Sequence, residues 1–358
     1  MHAGFHACSR RGSARPAILA ALAISLVGAG FLVVAGLRGA APKASNPPNS
    51  STAALAKSSA QLASQPAATS VADGAKLDTI QNTAQELIRR GEVKQAEALL
   101  RGAIAEHLTE QRLYVQLGDL LATQKRPEEA YSTYEQALAC GSGDADLEFA
   151  AGTAAAAAGK LERAEEHYQA SMTKRPTDFR APMYLAQVQV KQEKLDEASA
   201  NLLLAAKLNP DAAIVWGSLA EIALRQNKLT LAEQHARKAR ELEPRVTVWR
   251  LIEARALKRE GKPEEAMGLL VGLDEAAKRE PGVDLLQAEC YGMMGRPKDA
   301  ADVYLAKLKV DGADGVSTLQ AAIWLEKSGD LKQAKELAAR AQMLAVPGAK
   351  EVVERLGR

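Results

Sequence analysis

Cysteine is scarce: three in 358 residues cannot make a disulfide framework. Aromatic residues are only 4% of the chain, poor material for a face that stacks nucleobases or sugar rings. Five histidines lie far apart, and neither H-E-x-x-H nor C-x-x-C occurs, so the spacing of a zinc site is missing. No G-x-x-x-x-G-K-[ST] loop is present, no strand-period pattern appears, and no G-x-G-x-x-G follows a strand. Neither sign of charge dominates, since 46 basic residues against 44 acidic ones leave a net of +2. These absences argue against a nucleic-acid binder, a disulfide scaffold and a zinc protein. They leave no catalytic residue, metal ligand or cofactor to nominate, and an enzyme is not expected.

Long apolar runs are also rare, with one exception. Ala17 to Leu37 reads AILAALAISLVGAGFLVVAGL, without a single charge. A helix needs about 20 such residues to cross the hydrocarbon of a bilayer, and this run is long enough. Arg10, Arg11 and Arg15 precede it and Arg38 and Lys43 follow. The positive-inside rule then favours a cytoplasmic amino terminus, with the bulk of the chain on the far side. A cleaved signal peptide is the competing reading, but its apolar core is usually about 7–15 residues long. The expected organisation is a short tail at 1–16, a transmembrane signal anchor at 17–37 and a linker at 38–76. That linker is rich in Ala, Pro and Ser (APKASNPPNSS, SSAQLASQPAATS) and has no sustained apolar face to offset chain entropy.

From residue 77 the sequence repeats itself with a period of about 34 residues. Alanine occupies 96, 130, 164, 198, 232, 266, 300 and 334 without slippage. In the preceding stretch of each unit stand Ala84, Gly118, Gly152, Ala186, Ala220, Ala254, Ala288 and Ala322. Small side chains in two columns allow two helices to approach closely. A bulkier column includes Leu87, Leu121, Leu257, Tyr291 and Leu325; another includes Leu100, Tyr134, Tyr168, Leu202, Leu270 and Tyr304. Between the two helices of a unit lies a turn column of Gly91, Gly159, Asn227, Gly261, Gly295 and Gly329, from which Lys125 and Glu193 depart. Pro127, Pro263 and Pro297 follow just after it, where a helix starts. Glu128-Glu129 and Glu264-Glu265 place negative charge in that same first turn, where it favours the helix dipole.

These residues carry a resemblance. Tyr114, Leu117, Gly118 and Leu121, then Ala130, Tyr134 and Ala137, resemble the W-x2-L-G-x2-Y…A…F pattern of the tetratricopeptide repeat family. Trp216, Leu219, Ala220, Ala232, Ala239 and Pro244 resemble it again. The resemblance covers 77–348, read as eight units at 77–110, 111–144, 145–178, 179–212, 213–246, 247–280, 281–314 and 315–348. Residues 349–358 would then form a capping helix. The implied fold is all-α, a right-handed superhelical solenoid of about eight helix-turn-helix units. Arg250, Glu253, Asp284 and Gln287 stand where the family usually keeps apolar residues.

The resemblance implies a concave groove lined by first helices, with ligand contacts from fixed positions in each. It nominates Val115, Asp119, Phe149, Thr153, Met183, Gln187, Glu221, Leu251, Arg255 and Arg259 as the partner-binding set. The fifth position is mostly apolar, which suits an amphipathic helix or an apolar peptide; packing against neighbouring helices is the rival reading. Arg255, Lys258 and Arg259 form a basic spot, open either to solvent or to an acidic partner. His107, His167 and His235 are expected as solvated surface residues. The chain is therefore expected to be a membrane-anchored protein–protein scaffold, an assembly or adaptor factor for a bacterial envelope complex. Its solenoid would lie in the periplasm, beyond the inner membrane. Its partner would be a protein or peptide; the membrane is engaged through 17–37, and no nucleic acid is expected. A self-assembling homo-oligomer and an organelle-surface receptor with a cytosolic solenoid stay open as alternatives.

Overall fold

A computed structural model describes residues 71–106, 110–274, 277–279 and 282–357. The expected tail and anchor, and most of the expected linker, lie outside the described residues. Among these, no helix is long and apolar enough to cross a membrane. The described residues form seventeen α-helices and one short 3-10 helix, with no strand. They fall into two compact blocks, one ending at Ser142 and the other beginning at Gly143.

The N-terminal block holds α1 (Val71–Arg89), α2 (Val93–Glu106), α3 (Gln111–Thr123) and α4 (Pro127–Ala139). The first helix begins at Val71, inside the segment read as linker. Antiparallel neighbours pack in sequence, α1 on α2 and α3 on α4. Helices of 13–14 residues, such as α2 to α4, are marginal alone in water, so the burial of Leu77, Leu100, Leu113, Leu121 and Tyr134 is what holds them.

The C-terminal block repeats the plan. It contains α5 (Ala145–Ala157), α6 (Leu161–Lys174), α7 (Arg180–Lys191), α8 (Leu195–Leu208), α9 (Ala213–Arg225) and α10 (Leu229–Leu242). Then come α11 (Thr247–Arg259), α12 (Pro263–Val271), α13 (Val283–Met293), α14 (Pro297–Val310), α15 (Gly315–Ser328), α16 (Leu331–Met343) and α17 (Ala349–Gly357). First helices also meet one another directly, α9 with α11 and α11 with α13, which places them on the inner side of the stack. The last helix lays Val352 and Leu356 over the core that contains Leu319 and Ala334, and turns Lys350 and Glu354 to solvent.

The two small-residue columns are the seams. All eight alanines from Ala96 to Ala334 are fully buried. Where the earlier column is glycine, a tyrosine of the same unit fills the space. A Cβ on Gly118 would stand 2.6 Å from the Tyr134 ring, and one on Gly152 3.0 Å from the Tyr168 ring. The turn column is left-handed throughout, including the two exceptions: Lys125 has φ 58° and Glu193 φ 60°. Both keep the glycine turns' hydrogen bonds, with Arg126 N donating to Leu121 O and Lys194 N to Gln189 O. The repeat register thus imposes a conformation that costs a non-glycine residue about 1–2 kcal/mol.

Candidate partner-binding face

Second helices are stitched by charge. Arg126 donates to Glu97 at 2.8 Å and to Glu129 at 2.7 Å, while Arg101 reaches Glu97 at 2.8 Å and Glu129 at 3.3 Å. The Arg126 hydrogen bond holds the Glu97 carboxyl below its ordinary value. Lys194 meets Glu165 and Lys262 meets Glu233 at the same sequence spacing as Arg126 and Glu97. A cleft of about 330 Å³ opens between α2 and α4, lined by Arg101, Ile104, Leu117, Glu129, Ser132 and Gln136. Its lining offers no nucleophile–base pair.

First helices use other spacings. Arg180 lies 5.1 Å over the Phe149 ring, and its Nη2 approaches Asp146 at 3.3 Å. Arg175 donates two bonds of 2.8 Å to Asp146, which holds that carboxyl below its ordinary value against the opposing effect of burial. Arg112 pairs with Asp78 at 3.1 Å, one repeat apart, in the N-terminal block.

The nominated residues do not form one open set. Val115 is half-buried on α3, and Asp119 accepts the Tyr134 hydroxyl at 2.7 Å; both belong to the N-terminal block. The other eight belong to the C-terminal block. Phe149 and Met183 are each only 5% exposed. Phe149 packs among Tyr168, Tyr184 and Arg180, so at this position it is core rather than groove lining. Thr153 receives the Tyr168 hydroxyl at 3.2 Å and donates its own to Phe149 O. Gln187 and Leu251 are half-buried.

The basic spot is already engaged. Arg255 donates to Glu221 at 3.0 Å, Lys258 pairs with Glu289, and Arg259 binds Leu224 O and Asn227 Oδ1. These cations join α9, α11 and α13; an acidic partner would have to displace internal bonds.

Of the three repeat histidines, His107 lies outside the described residues and the other two differ from expectation. His167 is largely enclosed, its Nδ1 2.9 Å from Glu148, a buried carboxylate that also accepts Lys174. His235 is half-buried with its ring 5.5 Å from Trp216, and burial lowers its pKa. Sequence position alone gave no sign of either, because the partners lie on the neighbouring antiparallel helix.

In the C-terminal block, exposed apolar side chains stand on the first helices near the C-terminal end. The Phe149–Arg180 contact runs from one first helix to the next. Leu285 and Val316 stand at the equivalent spacing on α13 and α15, yet are 36% and 64% exposed. Met293, farther along α13 from Leu285, is 51% exposed. Leu285 stands in the apolar fifth position read from the sequence but was not nominated, and Val316 and Met293 were missed. Val316 was legible as the end of a column in which Asp78, Arg112, Asp146 and Arg180 give way to Ile214, Val248, Gly282 and Val316.

Comparison with known proteins agrees with the fold. The Tetratricopeptide repeat family model matches residues 82–145, 149–198 and 183–245. No curated protein matches the chain. A tetratricopeptide repeat protein from Parabacteroides merdae is similar in structure, with a TM-score of 0.52 and 15% identity. That match covers 69% of this chain and 99% of the other. The C-terminal part of a repeat-containing protein from Cytophaga hutchinsonii gives 0.50 at 12% identity, covering 76% and 98%. The family model thus matches stretches between residues 82 and 245, and the repeat register, the paired helices and the structural neighbours make the fold an all-α repeat solenoid of the tetratricopeptide repeat kind.

Proposed function

We propose that this protein is a non-enzymatic protein–protein interaction scaffold whose partner docks on the inner, first-helix face near α13 and α15. The observation that carries this reading is the exposed pair Leu285 and Val316, with exposed Met293 about two turns farther along α13. Earlier in the same block the equivalent contact is closed by Phe149 and Arg180. Exposed apolar side chains on an inner face, bordered by charges that are already paired, favour an amphipathic or apolar partner segment over an acidic one. In this reading residues 17–37 hold the chain in a bacterial inner membrane, and the repeats act in the periplasm as an assembly or adaptor factor of an envelope complex. The long uncharged run and the arginines before it support that placement.

The test is affinity capture by the full-length chain from the source organism's solubilised membranes, beside Leu285→Asp with Val316→Asp. Both side chains are exposed, so the double variant should keep the wild-type melting temperature. A protein retained by the wild type and depleted at least tenfold on the variant is the expected result. Equal recovery on a folded variant removes this face from the reading. Phe149→Asp or Met183→Asp would not serve, because a buried carboxylate there unfolds the block rather than blocking a surface.

A further inference from the structure

The outer face, formed by second helices, carries a second unexplained feature. In the N-terminal block, Arg101 on α2 and Glu129 on α4 pair from one second helix to the next. The equivalent spacing joins Leu203 on α8 to Leu231 on α10, so two leucines occupy the place of an ion pair. Leu203 is 51% exposed, Leu231 41%, and the adjacent Leu204 38%. None of the three is needed to close the core beneath, which Leu202, Ala205 and Ala206 already fill.

The charge around this trio is distinctive. Lys207 follows Leu204 by one turn of α8, and Lys238 stands one repeat after Leu204 on α10. Both lysines are exposed, and among the described residues neither has an ion pair, unlike Lys194 and Lys262 on the same face. The nearby carboxylate, Glu241, raises the pKa of Arg240, and among the described residues it has no ion pair with Lys238.

We propose that Leu203, Leu204 and Leu231, with Lys207 and Lys238, form a docking site for an acidic amphipathic helix of a partner protein. The partner's apolar stripe covers the leucines, and carboxylates flanking it meet the two lysines. A basic helix would place its cations beside uncompensated lysines, so charge selects between them. This site lies on the face opposite the inner one and does not depend on the reading above.

Fluorescence anisotropy of labelled synthetic helices against the full-length chain in mild detergent tests it. Three peptides are used: a leucine stripe flanked by glutamates, the same stripe flanked by lysines, and the glutamate peptide with its leucines changed to serine. The first should bind at least about tenfold more tightly than the other two. Leu203→Gln, Leu204→Gln and Leu231→Gln combined should weaken it at least tenfold, and all three are exposed enough to leave folding intact. Lys207→Glu with Lys238→Glu should reverse the preference between the acidic and basic stripes. Leu285→Asp with Val316→Asp should change none of this, which separates failure here from failure of the inner-face reading. No binding by any peptide, equal binding to the leucine variant, or no discrimination by charge overturns the proposal. So does concentration-dependent self-association in sedimentation that the leucine variant abolishes, because a second copy would then be the occupant.

Discussion

In residues 179–246 the second helices α8 and α10 run fourteen residues each, and their seams are closed by alanine: Ala198, Ala205, Ala232, Ala236 and Ala239. In the unit that follows, α12 stops after nine residues, and the chain continues through Gly272 and Asp274 toward a 3-10 turn. Its first helix buries a carboxylate, Glu253, at 2% exposure where an apolar residue is usual. Arg240 donates to Glu253 at 2.6 Å and Arg237 at 3.3 Å, both from the preceding α10. Half-buried Arg250 caps Pro244 O and Gly272 O on either side. The same register is thus maintained by two chemistries. Small apolar seams tolerate any well-matched neighbour, whereas a buried carboxylate accepts only a neighbour that supplies its arginines. A buried ion pair is weak evidence for stability, so its effect is better sought in which helix packs next.

Removing Glu253 gives the largest expected effect on that contrast. Glu253→Ala should destabilise the chain by about 3 kcal/mol in urea unfolding, at the lower end for breaking a buried pair. The lower end applies because Arg237 and Arg240 are partly exposed and can turn to water. Glu253→Leu restores buried volume without charge and should cost about 1 kcal/mol or less. A loss clearly smaller than that expected for the alanine variant would mean the arginines do not hold this joint, and the comparison fails.

Overpacking comes next. Ala198→Phe should cost about 1–3 kcal/mol, because α7, α8 and α9 enclose a fully buried position with complete helices. Ala266 occupies the same column and is equally buried, but α12 ends soon after it and can shift. Ala266→Phe should therefore cost less. Equal melting-point losses would show that the short helix is as firmly held as the long ones.

Most of the repeat architecture was legible because evenly repeated columns of small side chains have a single geometric reading. The alanine column predicted a helix seam, and all eight of its residues are fully buried. Lys125 and Glu193 stood apart from the turn column by residue type yet adopt its left-handed conformation, since the register on either side outweighs local preference. The shortened α12 left a sequence sign, Gly268 inside it and Gly272 just past its end, which periodicity alone does not weigh. The binding face was harder to read. Position within a repeat says which way a side chain points, but not whether a neighbour covers it. Phe149 points inward and is closed over by Arg180 and Tyr184. Leu285, at the same position, has Val316 in place of an arginine at the equivalent spacing and stays open. Arg255, Lys258 and Arg259 read as a free basic spot until helices one repeat away supplied their partners.

The smallest effect concerns pH and sharpens the contrast within residues 179–246, where charge plays the lesser part. Burial beside Trp216 lowers the pKa of His235 from its ordinary 6.5. In the unfolded chain this histidine takes up a proton as pH falls through 6.5, while in the folded chain it resists. The unfolded state therefore binds more protons, and folding stability rises with pH across that interval. The contribution is fully present above pH 6.5 and fades as pH drops toward the folded value. Between about pH 7 and 5.5 the carboxylates held low by arginine, such as Asp146 and Glu326, stay ionised, so they do not contribute to this slope. The melting temperature of the wild type should fall over that range, and His235→Gln should flatten the fall while changing the value at neutral pH little. An unchanged slope would mean that His235 is not the group that titrates, and the link between pH sensitivity and burial beside Trp216 would fail.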